Sequence, residues 1–131
     1  MLRADEPASY EVFKYNNIDI RVHRHTDDNS YWVVCADLCR AVGLSNPSYV
    51  ASKFSDKDVH KHLIQIHNRK QTVTWVSQSA VLALDNVFDF DTCHTFVSWF
   101  KKLITGSDDV VIVSRNLLNY LNKTIESLLR I

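Results

Sequence analysis

The chain has 131 residues, 46% of them apolar, which is the size and content of one domain with one core, and only two glycines and two prolines, which excludes long low-complexity linkers. Fifteen basic and fifteen acidic residues leave a formal net charge of zero, which counts against coating nucleic acid by bulk attraction alone, so any such binding needs a local patch. Three cysteines, an odd number, argue against a disulfide framework and for a reducing, intracellular setting.

Residues 1–9 carry Arg3, Asp5 and Glu6 with no apolar run and read as a flexible lead-in, neither a secretory signal nor a membrane anchor. From Glu11 to Val22 two short runs flank Asn16-Asn17. In the second, Ile18, Ile20 and Val22 alternate with polar residues, which predicts a β-hairpin turned by asparagines that tolerate the left-handed conformation. After a polar loop, Tyr31 to Cys35 is an aromatic and β-branched run that predicts a buried third strand. The period then changes to helical over Ala36, Leu38, Cys39 and Val42. Gly43 stops that helix, and Asn46-Pro47 supplies an N-cap and a first-turn proline for a second one over roughly Pro47 to Phe54.

His62 to His67 and Thr72 to Val76 read as two more strands, joined by Asn68-Arg69-Lys70-Gln71 into a hairpin with a basic tip. Ser77 is placed to cap a helix whose apolar residues are Val81, Leu82, Leu84 and Val87. Asp91 or Thr92 is placed to cap the next, where Phe96, Val97, Phe100, Leu103 and Ile104 form a stripe, Lys101 and Lys102 favour the carboxyl end and Gly106 terminates. A domain over 10–106 is therefore expected, followed by a 107–131 linker and helix in which Leu118, Leu121, Ile125 and Leu128 form a short heptad seam, the pattern of either an intramolecular core face or a homodimer contact. Together the elements predict an α+β fold, a small antiparallel sheet of hairpins packed with short helices, including a helix-turn-helix-like pair, plus a C-terminal helix.

The strongest local pattern runs from Ala36 to Phe54, two short helices sharing a glycine-containing turn, the layout by which a helix-turn-helix offers the start of its second helix to a groove. A helical hairpin that merely covers the sheet, with Asn46 acting only as a cap, fits the same pattern. Several spelled motifs add to it: the strand Ile18-Asp19-Ile20-Arg21-Val22, the block from Trp32 to Asn46, the stretch from Trp75 to Leu84, and Phe96-Val97-Ser98-Trp99-Phe100. Over roughly Tyr10 to Thr105 these resemble the amino-terminal (Bro-N) domain of the BRO proteins of baculoviruses and other large DNA viruses, also found in phage antirepressors. The chain departs from that pattern at Val33 to Ala36, where a basic residue is common, and at Gln78, where glutamate is usual.

The resemblance implies nucleic-acid binding, DNA rather than RNA, in the control of viral transcription or replication in the host nucleus or cytoplasm. It implies no catalysis and no cofactor. Arg21, Arg40, Asn46 and Lys53 carry over as candidate contacts, while Arg69, Lys70, Lys101 and Lys102 are added from charge alone.

Rival chemistries have weaker patterns. Cys35 with Cys39, Cys93-His94, and His60, His62 and His67 offer metal-ligand types, but no paired C-x-x-C or H-x-x-x-H spacing occurs, so no metal is expected. Asp89 and Asp91 read as a solvated loop and a helix cap, and no glycine-rich phosphate loop is present. The alternative function is a protein-interaction or oligomerisation module built on the Leu118 to Leu128 seam.

Overall fold

The structure, a computed structural model, describes residues 7–106. Five strands, β1 (Glu11–Tyr15), β2 (Ile18–Arg24), β3 (Tyr31–Val34), β4 (Val59–Ile66) and β5 (Arg69–Ser77), form one antiparallel sheet in the order β1-β2-β3-β5-β4. Five helices complete the α+β architecture that the sequence predicts: α1 (Cys35–Val42), α2 (Pro47–Ser52), α3 (Gln78–Leu82), α4 (Leu84–Val87) and α5 (Asp91–Thr105). The expected helix beyond residue 107 lies outside the described residues.

Local chemistry accounts for most boundaries. Asn16 and Asn17 both take positive φ, 48° and 68°, and turn β1 into β2 with the register Tyr15 opposite Ile18. Gly43 (φ 79°) and Gly106 (φ 73°) close α1 and α5 in the left-handed region. The Ser77 hydroxyl accepts the Ala80 N–H and caps α3. Other boundaries differ from the expectation. Cys35 opens α1 rather than ending β3, α2 stops at Ser52, and the helix expected after Ser77 breaks at Ala83 into α3 and α4, leaving Val87 exposed. Neither Asp91 nor Thr92 caps α5; the Thr92 hydroxyl instead donates to the Val42 carbonyl at 2.8 Å, tying α5 to the end of α1. Asp89 joins Asp85 in bracketing His94, at 2.6 and 3.0 Å, and these carboxylates, Asp89 first, raise the imidazole pKa above its usual value.

Strand alternation sends two sets of side chains to opposite faces. On one, Phe13, Ile20, Val22, Val33 and Val76 pack with Leu38 and Val42 of α1 and with Phe96, Val97 and Phe100 of α5. On the other, Val34, Ile64 and Trp75 form a smaller cluster with Ala8. The Ala8 N–H donates to the Leu63 carbonyl at 2.8 Å and its side chain is buried, so residues expected to lie in a flexible lead-in are instead docked across β4.

The sheet is forked, because β3 is only four residues long. It pairs with β5 at Ser77, Val76 and Trp75 and then ends, and α1 starts in the gap. The β1-β2 and β4-β5 hairpins continue on either side of that gap.

Candidate nucleic-acid interface

Past Trp75, the β4-β5 hairpin leaves the rest of the sheet. Lys61 to Ile66 and Arg69 to Thr74 make six cross-strand pairs that β3 does not reach, and at about 3.3 Å per residue this is a two-stranded ribbon about 20 Å long. The turn is His67-Asn68, with His67 at φ 56°. Arg69 and Lys70 therefore belong to β5 itself, opposite Ile66 and Gln65, rather than to the four-residue connector that the sequence suggests.

The charge on this ribbon has one sign. No Asp or Glu occurs between Val59 and Val76, whereas Lys61, Arg69 and Lys70 do, with His60, His62 and His67 beside them. Lys61, Gln65, His67, Asn68, Arg69, Lys70, Gln71 and Thr72 are all exposed. Lys61 stands opposite Thr74 and Lys70 opposite Gln65, so none of these cations directly faces another across the ladder. A two-stranded ribbon of this kind fits the major groove of a duplex, and cations and amides along it suit phosphate oxygens.

The gap beside the ribbon's root is closed by an ion cluster. Asp37 of α1 is 0% exposed, and its carboxylate accepts the Arg21 backbone N–H at 2.9 Å, Arg21 Nε at 2.8 Å and Arg21 Nη2 at 2.9 Å. Arg40 Nη2 donates to the same carboxylate. The backbone bond replaces one that a longer β3 would have supplied, and hydrogen bonding to Asp37 raises the pKa of Arg21 above its ordinary value. Arg21 and Arg40 are thus brought together, but on a buried carboxylate. Their first role is to seat α1, and two guanidiniums against one carboxylate leave a single positive charge there.

The helix pair presents a short second helix. Asn46 caps α2, its Oδ1 accepting the Tyr49 N–H at 3.1 Å, and the Cys35 thiol donates to the Pro47 carbonyl at 3.6 Å, fixing the turn from α1. Val50 is the buried residue of α2. Ser48 and Tyr49 face solvent, Tyr49 being 51% exposed, so the helix start is on the surface. Lys53 lies just past the last turn, with Nζ 4.8 Å from the centre of the Tyr49 ring.

The remaining candidates are elsewhere. Lys101 and Lys102 are exposed on α5, and Lys102 borders a hollow with Tyr15, Asn16 and Trp99, beside β1, at the opposite edge of the sheet from the ribbon. Leu118, Leu121, Ile125 and Leu128 lie outside the described residues. Among the described residues no three His, Cys, Asp or Glu side chains gather as a metal site. Cys39 and Cys93 are buried with their thiol pKa values raised, Cys39 chiefly by its hydrogen bond with Cys35 and Cys93 by desolvation.

No family model, curated protein or solved structure matches this chain. What the surface can do follows from its side chains, namely an acid-free basic ribbon, an exposed helix start with a tyrosine and a lysine, and the residual charge of the Arg21-Asp37-Arg40 cluster. The charge pattern of the sequence marks Arg69 and Lys70 but not Lys61, and it reads His60 and His62 only as possible metal ligands. The absence of acids over the whole span from Val59 to Val76 was the signal that could have found them.

Proposed function

We propose that this chain is a nucleic-acid-binding regulatory domain of the Bro-N kind, acting on DNA rather than RNA in the control of viral transcription or replication. The observation that carries the reading is the projecting β4-β5 ribbon with Lys61, Arg69 and Lys70 and no acid. The exposed start of α2 and Lys53 supply a second contact zone. Arg21 and Arg40 act behind the interface by fixing α1, with Arg40 the more accessible of the two.

Four phosphate contacts, by Lys53, Lys61, Arg69 and Lys70, correspond to a slope of log affinity against log salt of about −3 to −4 on duplex DNA. A mobility assay across a salt series measures it. Replacing Arg69 and Lys70 together by glutamate reduces the slope by about two and weakens binding uniformly across sequences, with the melting temperature unchanged. Absence of binding by the wild-type chain even at low salt, or indifference to the double charge reversal, overturns the reading and leaves a protein-interaction module.

A further inference from the structure

On the face of the sheet turned away from the helices, the docked segment Ala8-Ser9 and strands β2 to β5 enclose an open pocket of about 250 Å³. Its flat walls are aromatic. The Trp32 and His60 rings lie 5.3 Å apart and tilted by 55°, and the His23 ring meets Trp75 edge-on at 6.0 Å. His25 and His62 also line it, and among the described residues of the lining none carries a carboxylate.

Two polar groups stand in the pocket wall, His23 and Trp75. The Ser9 carbonyl can only accept, so His23 Nδ1, 2.6 Å away, donates to it, which holds the ring in place at the pocket wall. Trp75 is 2% exposed and its Nε1–H has no acceptor. That N–H is closed to solvent, so a ring nitrogen or carbonyl of a ligand satisfies it only where the pocket wall shifts on binding.

Aromatic walls, the Lys61 amine and an imidazole rim whose only nearby carboxylate among the described residues is Asp28, 3.6 Å from His25 Nδ1, together match one ligand chemistry. We propose that this pocket holds a single nucleotide, its base against Trp32 and His60 and its phosphate at the histidine rim. Stacking on an aromatic wall is tolerant of base identity, whereas the phosphate distinguishes a nucleotide from a nucleoside. The nucleotide comes either free from solution or from the unpaired end of a strand. Lys61, at the root of the ribbon, also lines the pocket, whereas the ribbon tip and α2 do not.

Quenching of tryptophan fluorescence tests this on the full chain, with adenosine, guanosine, cytidine and uridine 5′-monophosphates, with adenosine, and with inorganic phosphate. The expected result is saturable quenching by the monophosphates, weaker quenching by adenosine, and no displacement by inorganic phosphate. Trp32→Ala and the exposed His60→Ala each weaken binding by about tenfold, and Trp75→Phe, which keeps a ring but removes the N–H, weakens it with the fold retained by circular dichroism. A 5′-phosphorylated oligonucleotide that competes when single-stranded but not as a blunt duplex identifies a strand end as the source, and failure to compete identifies the free nucleotide. The Arg69→Glu and Lys70→Glu double variant keeps mononucleotide binding even where duplex binding is lost. No saturation at millimolar nucleotide, inorganic phosphate binding as tightly as the nucleotides, or no effect of His60→Ala overturns the proposal while leaving the ribbon reading untouched.

Discussion

Asp37 is a charged side chain with no solvent contact, and it persists because three donors of Arg21 and one of Arg40 converge on it. Removing one partner of such a cluster costs more than the cluster contributes, because the other partner is left buried and unpaired. Asp37→Asn keeps the shape but turns an acceptor into a donor facing guanidinium, and is expected to lower stability by about 3 kcal/mol. Arg40→Ala, on the exposed side of the cluster, is expected to cost about 1 kcal/mol or less. Urea unfolding at constant m value measures both. Equal effects of the two variants would mean that the cluster is solvated, contrary to its burial. Sequence alternation correctly put Arg21 off the core face, but it could not reveal the partner, which sits sixteen positions away on a helix whose point of departure depends on β3 being short. For the same reason both arginines read from sequence as open cations when each already has a carboxylate.

The β4-β5 hairpin shows where periodicity stops being informative. Hydrophobic alternation marked Ile64, Ile66, Val73 and Trp75, but Gln65, Arg69, Lys70 and Gln71 are polar on both faces of a ribbon that neither α1 nor α5 covers, so period two is invisible there. The turn accordingly read as four residues when it is two. In the β1-β2 hairpin the same element was legible, because asparagine occupies both positive-φ positions. His67 is the contrast, an imidazole-bearing residue at φ 56° where glycine is free of steric cost. His67→Gly is therefore expected to stabilise the protein by roughly 0.5–1 kcal/mol, because it relieves left-handed strain at a turn that β4 and β5 impose. A rise in the denaturation midpoint checks it, and a loss would show that the His67 side chain holds the tip in a way that the backbone argument misses.

Across the whole molecule, a neutral total charge conceals a division of labour between the two edges of the sheet. On the β1-β2 hairpin Lys14 pairs with Asp19 at 2.5 Å, so that arm carries compensated charge, while the β4-β5 arm carries cations alone. The two arms flank the gap that α1 fills, and the core formed by β2, β3, α1 and α5 is remote from the ribbon tip. The tip of a two-stranded ribbon, paired to no further strand and covered by no helix, opens locally at far lower free energy than a central strand. Amide hydrogen exchange is therefore expected to be fastest, among the strands, from Gln65 to Thr72, and slowest in β2 and β3 at Val22 and Val33. Duplex DNA at low salt should slow exchange at the tip and at the first turn of α2, because phosphate contacts select the closed ladder from its open forms. Protection appearing instead along β1 and at Lys101 and Lys102 would move the binding surface to the opposite edge of the sheet, and the ribbon would then be a solvated arm whose cations serve solubility alone.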